Sequence, residues 1–269
     1  MHFTITVPKL LHRTYLKSAK ACLCLSALLL AISLCSAQQV LRKAITRGDT
    51  INKEIALVFT GDEFADGGQY IRSVLLREKV KASFFLTGNF YRNAKFKKLV
   101  LQLKSDGHYL GSHSDKHLLY CDWTKRDSLL VTKKEFDNDL AQSYRELDRY
   151  GILAKQARYF LPPYEWYNDS IVAWTSDFGL QLVCFTPGTR STADYTYPQM
   201  GSRYTDSKTI FKSIVDYEAG SPAGLNGFIL LIHIGTDPRR KDKFYRHLPA
   251  LLKMMKEKGY RWVRIDDML

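Results

Sequence analysis

The stretch "GHYLGSHSDKH", residues 107–117, gathers three of the chain's seven histidines behind a glycine and a short apolar run. His113 and His117 stand four apart. On a helical turn that spacing puts both imidazoles on one face, where they could share one ion. The same spacing also occurs in ordinary helix-surface pairs, so the neighbouring segments must decide. Upstream, "EIALVFTG" (54–61) and "KASFFLTG" (81–88) are short apolar runs ending in glycine, as buried strands are. Between and after them, 69–80 and 93–107 carry helical spacing, the second closed by Gly107 with lysines on its wet face. "HYLGSHS" (108–114) then reads as a third strand and its outgoing loop.

The alternation continues downstream. Helices are predicted over 129–151, 169–179, 207–220 and 244–260. Strands are predicted over 157–164, stopped by two prolines, and over 180–188, 227–235 and 261–266. No repeat, linker or low-complexity stretch interrupts the series. About seven β-α units with apolar strands imply one α/β domain, a mainly parallel sheet covered by helices and closed, completely or not, into a barrel. In such barrels chemistry sits at the C-terminal ends of the strands. That rule selects Asp62 and Glu63 after the first strand and His113 and His117 after the third. It selects Pro162, Pro163, Tyr164 and Glu165 after the fourth, Thr186 and Thr189 after the fifth, and His233 in the sixth.

The N-terminus reads differently. Residues 1–20 carry Lys9, Arg13, Lys17 and Lys20 without an acid, 21–35 are almost continuously apolar, and Cys35 and Ala37 supply small-x-small. This is the layout of a secretory signal peptide over 1–37, leaving a domain over 38–269 that is exported to the periplasm or secreted. The apolar run is shorter than the roughly 20 residues of a membrane span. A retained N-terminal anchor is the alternative. Without an anchor, no stable membrane span is expected after cleavage. The chain's net charge is +13 and four of those charges lie in the signal. A basic surface suits anionic partners, but no nucleic-acid motif is present and export argues against nucleic acid. Three of five cysteines leave with the signal; Cys121 and Cys184 remain and could pair in an oxidising compartment.

Two neutral imidazoles and a carboxylate can hold a divalent ion while leaving positions open for water and substrate. His113 and His117 with Asp62 are that set, and His233 from another strand could protonate a leaving group. Each residue also has a plainer role. Asp62 could cap the next helix, and His233 could be a hydrogen-bonded core residue. His108, at a strand start, reads as structural. Their joint occurrence at strand ends favours the site.

In order along 38–269, the chain resembles the polysaccharide deacetylases with a NodB-type homology domain, carbohydrate esterases that remove acetyl groups from amino sugars or xylan. "GHYLGSHSDKH" resembles their Gly-His-x-x-x-x-His-Ser-x-x-His motif, "IALVFTGDE" their Thr-Phe-Asp-Asp-Gly strand, "RYFLPPYE" their Arg-Pro-Pro-Tyr-Gly, and "GFILLIH" their final Leu-x-His strand. The resemblance implies a distorted (β/α)7 barrel with Asp62, His113 and His117 as ligands of zinc, or of cobalt, nickel or manganese. It implies His233 as general acid and an acetylated polysaccharide or oligosaccharide as substrate.

The departures are specific. Where the family has its catalytic base, this chain has Thr60 and Gly61; Asp62 reaches the metal position only after a shift of about one residue. The arginine that orients the base is Leu161. The acid that tunes the final histidine falls at Thr186, with Asp194 the nearest carboxylate. Base and arginine are missing together, which is coherent, since a buried guanidinium without its carboxylate is costly. Glu165, or less favourably Glu63, is the expected replacement base. Tyr164, Trp166 and Pro163 are expected to line the sugar site, with Tyr120, Trp123, Tyr167, Tyr195 and Tyr197 near it. Two competing readings are a deacetylase-like module that binds carbohydrate without turnover, and a glycoside hydrolase pairing Asp62 with Glu165. The latter leaves the two histidines without a role.

Overall fold

The computed structural model describes residues 43–269, so the expected signal segment lies outside the described residues. Apolar runs bounded by turns become the strands β1 (Glu54–Gly61), β2 (Ser83–Leu86), β3 (Tyr109–Ser112), β4 (Tyr159–Phe160), β5 (Gln181–Leu182), β6 (Phe228–His233) and β7 (Arg261–Val263). All named pairings are parallel, in the order β5-β4-β3-β2-β1-β6. β7 pairs with the first half of β1, on the edge that β2 takes further along. Between the strands run α1 (Gly68–Arg77), α2 (Gly88–Arg92), α3 (Lys97–Ser105), α4 (Lys133–Arg149), α5 (Asp169–Asp177), α6 (Ser207–Gly220), α7 (Leu248–Glu257) and α8 (Ile265–Met268). Parallel strands require such crossovers. Among the described residues no helix is long and apolar enough to cross a membrane.

The sheet curls into a half-barrel with helices outside, the distorted (β/α)7 architecture. Strand alternation divides the core in two. Ile55, Leu57 and Phe59 of β1 point outward with Phe84, Leu86, Leu230 and Ile232. Ala56 and Val58 point inward with Phe85, Tyr109, Leu161, Ile229 and Leu231. Both sets are buried, each large side chain contributing roughly 1.5–3 kcal/mol.

Segment 44–48 spans the gap between β5 and β6. Ile45 N–H donates to Leu182 O at 3.0 Å, Cys184 N–H to Ile45 O at 2.9 Å, and Gly48 N–H to Gly227 O at 2.7 Å. Thr186 is the seam: its N–H donates to Ile229 O at 3.0 Å, and its hydroxyl accepts from Ile229 N–H at 2.9 Å while donating to Thr46 O at 2.5 Å. Thr186 was expected at the rim; its backbone and hydroxyl bonds are spent closing the barrel. Cys121 and Cys184 are both buried and free, so the possible disulfide does not form.

Candidate active site

The rim begins with the loop after β3. His113 N–H continues the sheet by donating to Leu86 O at 3.1 Å. The chain then coils rather than forming the expected helical turn, with Ser114 at φ 74° and His117 at φ 56°. The two imidazoles still face each other, ring centres 5.0 Å apart. Buried polar groups hold this coil. The Asp139 carboxylate on α4 accepts from Asp115 N–H, Lys116 N–H and Tyr120 O–H, each at 3.0 Å. Asp115 in turn binds Arg92 at 2.5 Å. Gly88 lies so close that a Cβ there would sit 1.9 Å from Asp115 Oδ1, so only glycine fits. α4 is itself anchored by a capping box of Thr132 and Glu135.

Each imidazole has a defined form. His113 Nδ1 lies 2.8 Å from Leu161 O. A carbonyl only accepts, so Nδ1 carries the hydrogen and Nε2 keeps its lone pair. Burial, then His117 and His233 nearby, hold the His113 pKa well below the ordinary value. Burial also lowers His117, with Asp62 opposing and His233 assisting.

At the end of β1, Thr60 is 1% exposed and its hydroxyl has no hydrogen-bond partner. By alternation it faces inward with Ala56 and Val58, and in register it lies beside His233. Gly61 turns outward, where a Cβ would lie 2.6 Å from Ile234 Cγ2 and 3.0 Å from Leu86 Cδ2. Asp62 is the first carboxylate to reach the mouth. Its Oδ1 accepts from Thr87 O–H at 2.7 Å, and Gly67 rather than Asp62 occupies the N-cap of α1. Glu63 is exposed at the margin.

After β4, Pro163 opens a short 3₁₀ turn in which Tyr164 (φ 58°) and Glu165 (φ 54°) are left-handed. Four of the five non-glycine residues with positive φ among the described residues are thus Ser114, His117, Tyr164 and Glu165. Such strain costs on the order of 1–3 kcal/mol each and gathers at functional sites. It aims Glu165 inward: its carboxylate lies 4.0 Å from His113 Nε2 with the side chain 12% exposed. Burial raises its pKa to about 7, with His233 opposing and Asp194 adding to the rise. Tyr164 packs on His117 at 4.4 Å. Trp123, half exposed, meets Tyr164 and Trp166 at 5.5 Å each, and Trp166 is held by Asp122 O at 3.2 Å and by Arg126 above its ring.

His233 closes the mouth from β6. Its Nδ1 lies 2.5 Å from Asp194 Oδ1, and its N–H donates to Asp194 Oδ2 at 2.9 Å. Burial works against the charged ring, but Asp194, by charge and hydrogen bond, and Glu165 outweigh it and raise the His233 pKa. The tuning carboxylate thus comes from Asp194, eight positions beyond Thr186, on the 3₁₀ segment Ser191–Tyr195. The fully buried Arg240 ties down the chain that follows, binding Thr196 O, Thr205 O and Ser207 Oγ. No sequence motif marks Arg240.

Asp62, His113, His117, Glu165 and His233 therefore converge on one rim, with Pro163 and Tyr164 beside them, while Thr186 does not join. The donors suit a divalent cation in kind: His113 Nε2 makes no hydrogen bond, and the contacts of Asp62 with Thr87 and Asn89 both fall on Oδ1. Among the described residues, no three His, Cys, Asp or Glu side chains are drawn together tightly enough to enclose a metal.

Residues 47–183 match the polysaccharide deacetylase family. The chain is 24% identical over 220 residues to a peptidoglycan-N-acetylglucosamine deacetylase of Bacillus cereus, covering 81% of this chain and 90% of that protein. Its fold is similar to a solved peptidoglycan N-acetylglucosamine deacetylase, with a TM-score of 0.67 and 20% identity over 84% of this chain and 92% of that one. It is also similar to a CE4 family pseudoenzyme from Bacillus anthracis, with a TM-score of 0.64 and 17% identity over 84% and 69%.

Proposed function

This chain belongs to the polysaccharide deacetylase family, and we propose that it is an exported enzyme that hydrolyses N- or O-linked acetyl groups on an acetylated polysaccharide or oligosaccharide. One observation carries the reading. A buried carboxylate with a pKa near neutrality, Glu165, faces the same mouth as a histidine clamped by a buried aspartate, His233 with Asp194. Groups tuned apart in this way are acid and base candidates. Glu165 takes a proton from the attacking water as its oxygen bonds to the acetyl carbon. His233 Nε2 gives a proton to the departing amine or alkoxide as the C–N or C–O bond breaks. Asp194 holds the ring and supports its charge. Leu161 O fixes the His113 tautomer, and the ring faces of Tyr164, Trp166 and Trp123 form a wall for sugar stacking.

Asp62, His113 and His117 would hold a divalent cation, zinc by their donor types, with cobalt, nickel or manganese as alternatives. When bound, such an ion supplies polarisation of the acetyl carbonyl and activation of water. The deciding experiment has two readouts. Metal content is measured on the purified protein and on His113→Ala, and acetate release is measured on acetylated chitooligosaccharide, peptidoglycan fragments and acetylxylan. One divalent ion per chain, lost in the variant, with acetate release abolished in His233→Ala, supports the reading. The second reading, a carbohydrate-binding module, draws on Thr60, a hydroxyl where the family's base is expected. Glycan binding without acetate release from any substrate selects it.

A further inference from the structure

The turn from β2 into α2, residues 87–92, is bonded to both halves of the cation set. On one side, Thr87 N–H donates to Gly61 O at 3.0 Å, on the residue before Asp62. On the other, Gly88 N–H donates to Ser114 O at 2.9 Å and Asn89 N–H to Asp115 O at 3.1 Å, inside the coil that carries His113 and His117. One short turn therefore sits between the loop after β1 and the loop after β3.

Thr87 is fully buried, and its hydroxyl is committed twice. The oxygen accepts from Phe90 N–H at 3.1 Å, which caps α2. A hydroxyl has a single hydrogen, and here it goes to Asp62 Oδ1 at 2.7 Å. The exposed Asn89 adds a longer contact, with Nδ2 at 3.4 Å from the same oxygen. Arg92 orients that amide by donating from Nη2 to Asn89 Oδ1 at 2.9 Å. The same guanidinium grips both oxygens of the buried Asp115, which lies midway between the two histidines in the chain. Side chains thus link Asp62 through Asn89 and Arg92 to the histidine coil.

A helix cap needs only an acceptor, and Asp or Asn would serve α2 as well as Thr. Donation to a carboxylate needs a hydrogen as well, which Thr87 supplies. The contacts with Thr87 and Asn89 both fall on Oδ1, which leaves Oδ2 for a cation. Ligating carboxylates owe their orientation to outer hydrogen bonds of this kind.

We propose that Thr87 is a positioning residue of this site. Its hydroxyl, with the Asn89 amide beside it, fixes the Asp62 carboxylate through Oδ1 and keeps Oδ2 for the cation shared with His113 and His117. The inference rests on the reading of those three residues as cation ligands, and the test separates the two.

The probe is zinc, added to metal-free protein in competition with a chelator of known affinity. Thr87→Val keeps the shape and loses the hydroxyl, and zinc affinity is expected to fall about 10–100-fold. Thr87→Ser restores the hydroxyl and is expected to restore affinity. Asn89→Leu is expected to lose less than Thr87→Val, since its contact is longer. Thr87→Val also removes the α2 cap, so the control is Asp206→Ala, which removes the cap of α6. It is expected to lower Tm comparably with zinc affinity unchanged. Acetate release by Thr87→Val is expected to recover at saturating zinc, as a loss of affinity alone requires. In metal-free protein the buried Thr87 hydroxyl proton is expected to exchange slowly enough to be seen by NMR, and to disappear in Asp62→Ala. A wild type that binds no zinc overturns the cation reading and this role together. Equal zinc affinity in wild type and Thr87→Val overturns this role alone. So does failure of Thr87→Ser to restore affinity, an equal loss in Asp206→Ala, no recovery at saturating zinc, or rapid exchange of the hydroxyl proton.

Discussion

The two walls of the mouth use the same residue type in opposite ways. On one wall, buried His113 and half-buried His117 have no carboxylate clamped to either ring, and desolvation lowers both pKa values. On the other, His233 is partly buried, yet Asp194 at 2.5 Å raises it. Desolvation penalises charge on both walls, and a buried hydrogen-bonded partner decides whether it prevails. Glu165 stands between the walls and follows the first: burial raises it to about 7 because no cation is clamped to it. The mouth thus sorts its groups into imidazoles that burial keeps from charging and that are suited to donate lone pairs, an imidazole whose proton Asp194 holds more firmly, and a carboxyl poised to take a proton.

The largest effect is expected from removing the poised carboxyl. Glu165→Gln keeps shape and polarity but abolishes proton uptake, and kcat is expected to fall by about 10²–10⁴ with KM little changed. Retention of full kcat/KM would end the assignment of Glu165 as base. The exposed Glu63 then remains as the alternative carboxylate.

Breaking the contrast itself comes next. Asp194→Asn removes the charge that raises His233, and acetate release is expected to fall about 10²-fold. Its alkaline limb is expected to move toward pH 6.5. The sign follows from the raised pKa: His233 is the competent acid while protonated, and without Asp194 it loses its proton at lower pH. The pair also couples stability to pH. A histidine with a raised folded pKa contributes stability in full below about pH 6.5 and loses it as pH rises through the folded value. The stability excess of wild type over Asp194→Asn should therefore shrink on going alkaline. A constant difference in denaturant midpoint across that window would contradict it.

These two residues also show what the chain reveals before folding. The (β/α)7 series was legible because most strands are apolar runs ended by glycine or proline, as "EIALVFTG" is at β1. Strand lengths were not: 157–164 and 180–188 shrink to Tyr159–Phe160 and Gln181–Leu182. There the chain leaves the ladder early, for the Pro163 turn on one side and for the Thr186 seam on the other. Glu165 could be seen because it follows a motif at a strand end. Asp194 was visible only as the nearest carboxylate, since its reach to His233 depends on a 3₁₀ segment whose outgoing chain, from Thr196 on, is tied down by the sequence-distant Arg240. The His113–His117 spacing suggested the right convergence through the wrong local shape. Tertiary hydrogen bonds from Asp139 replaced the helical turn that spacing alone predicts.

That support gives the third expectation. Asp139→Ala leaves the buried Asp115 N–H, the part-buried Lys116 N–H and the buried Tyr120 hydroxyl without their acceptor. The cost should be about 3 kcal/mol, a fall in Tm of roughly 6–12 °C. The loss should concentrate in the first wall. Hydrogen exchange should quicken over 114–117 while the His233 strand stays protected. Uniform loosening of both walls would mean that Asp139 supports the barrel at large rather than this coil.

The smallest effect belongs to the rim beyond both walls. Trp123 is 54% exposed and meets its neighbours only by ring contacts at 5.5 Å, so its truncation should leave Tm within about 1 °C. If its face stacks on a sugar, Trp123→Ala should raise KM for an oligosaccharide about 2–10-fold, from roughly 0.5–1.5 kcal/mol of lost stacking. A single acetylated sugar too short to reach it should be unaffected, and kcat should hold for both. A fall in kcat would instead mean that Trp123 acts through Tyr164, which packs on His117, and so belongs to the first wall. Equal loss with short and long substrates would assign it to that positioning role.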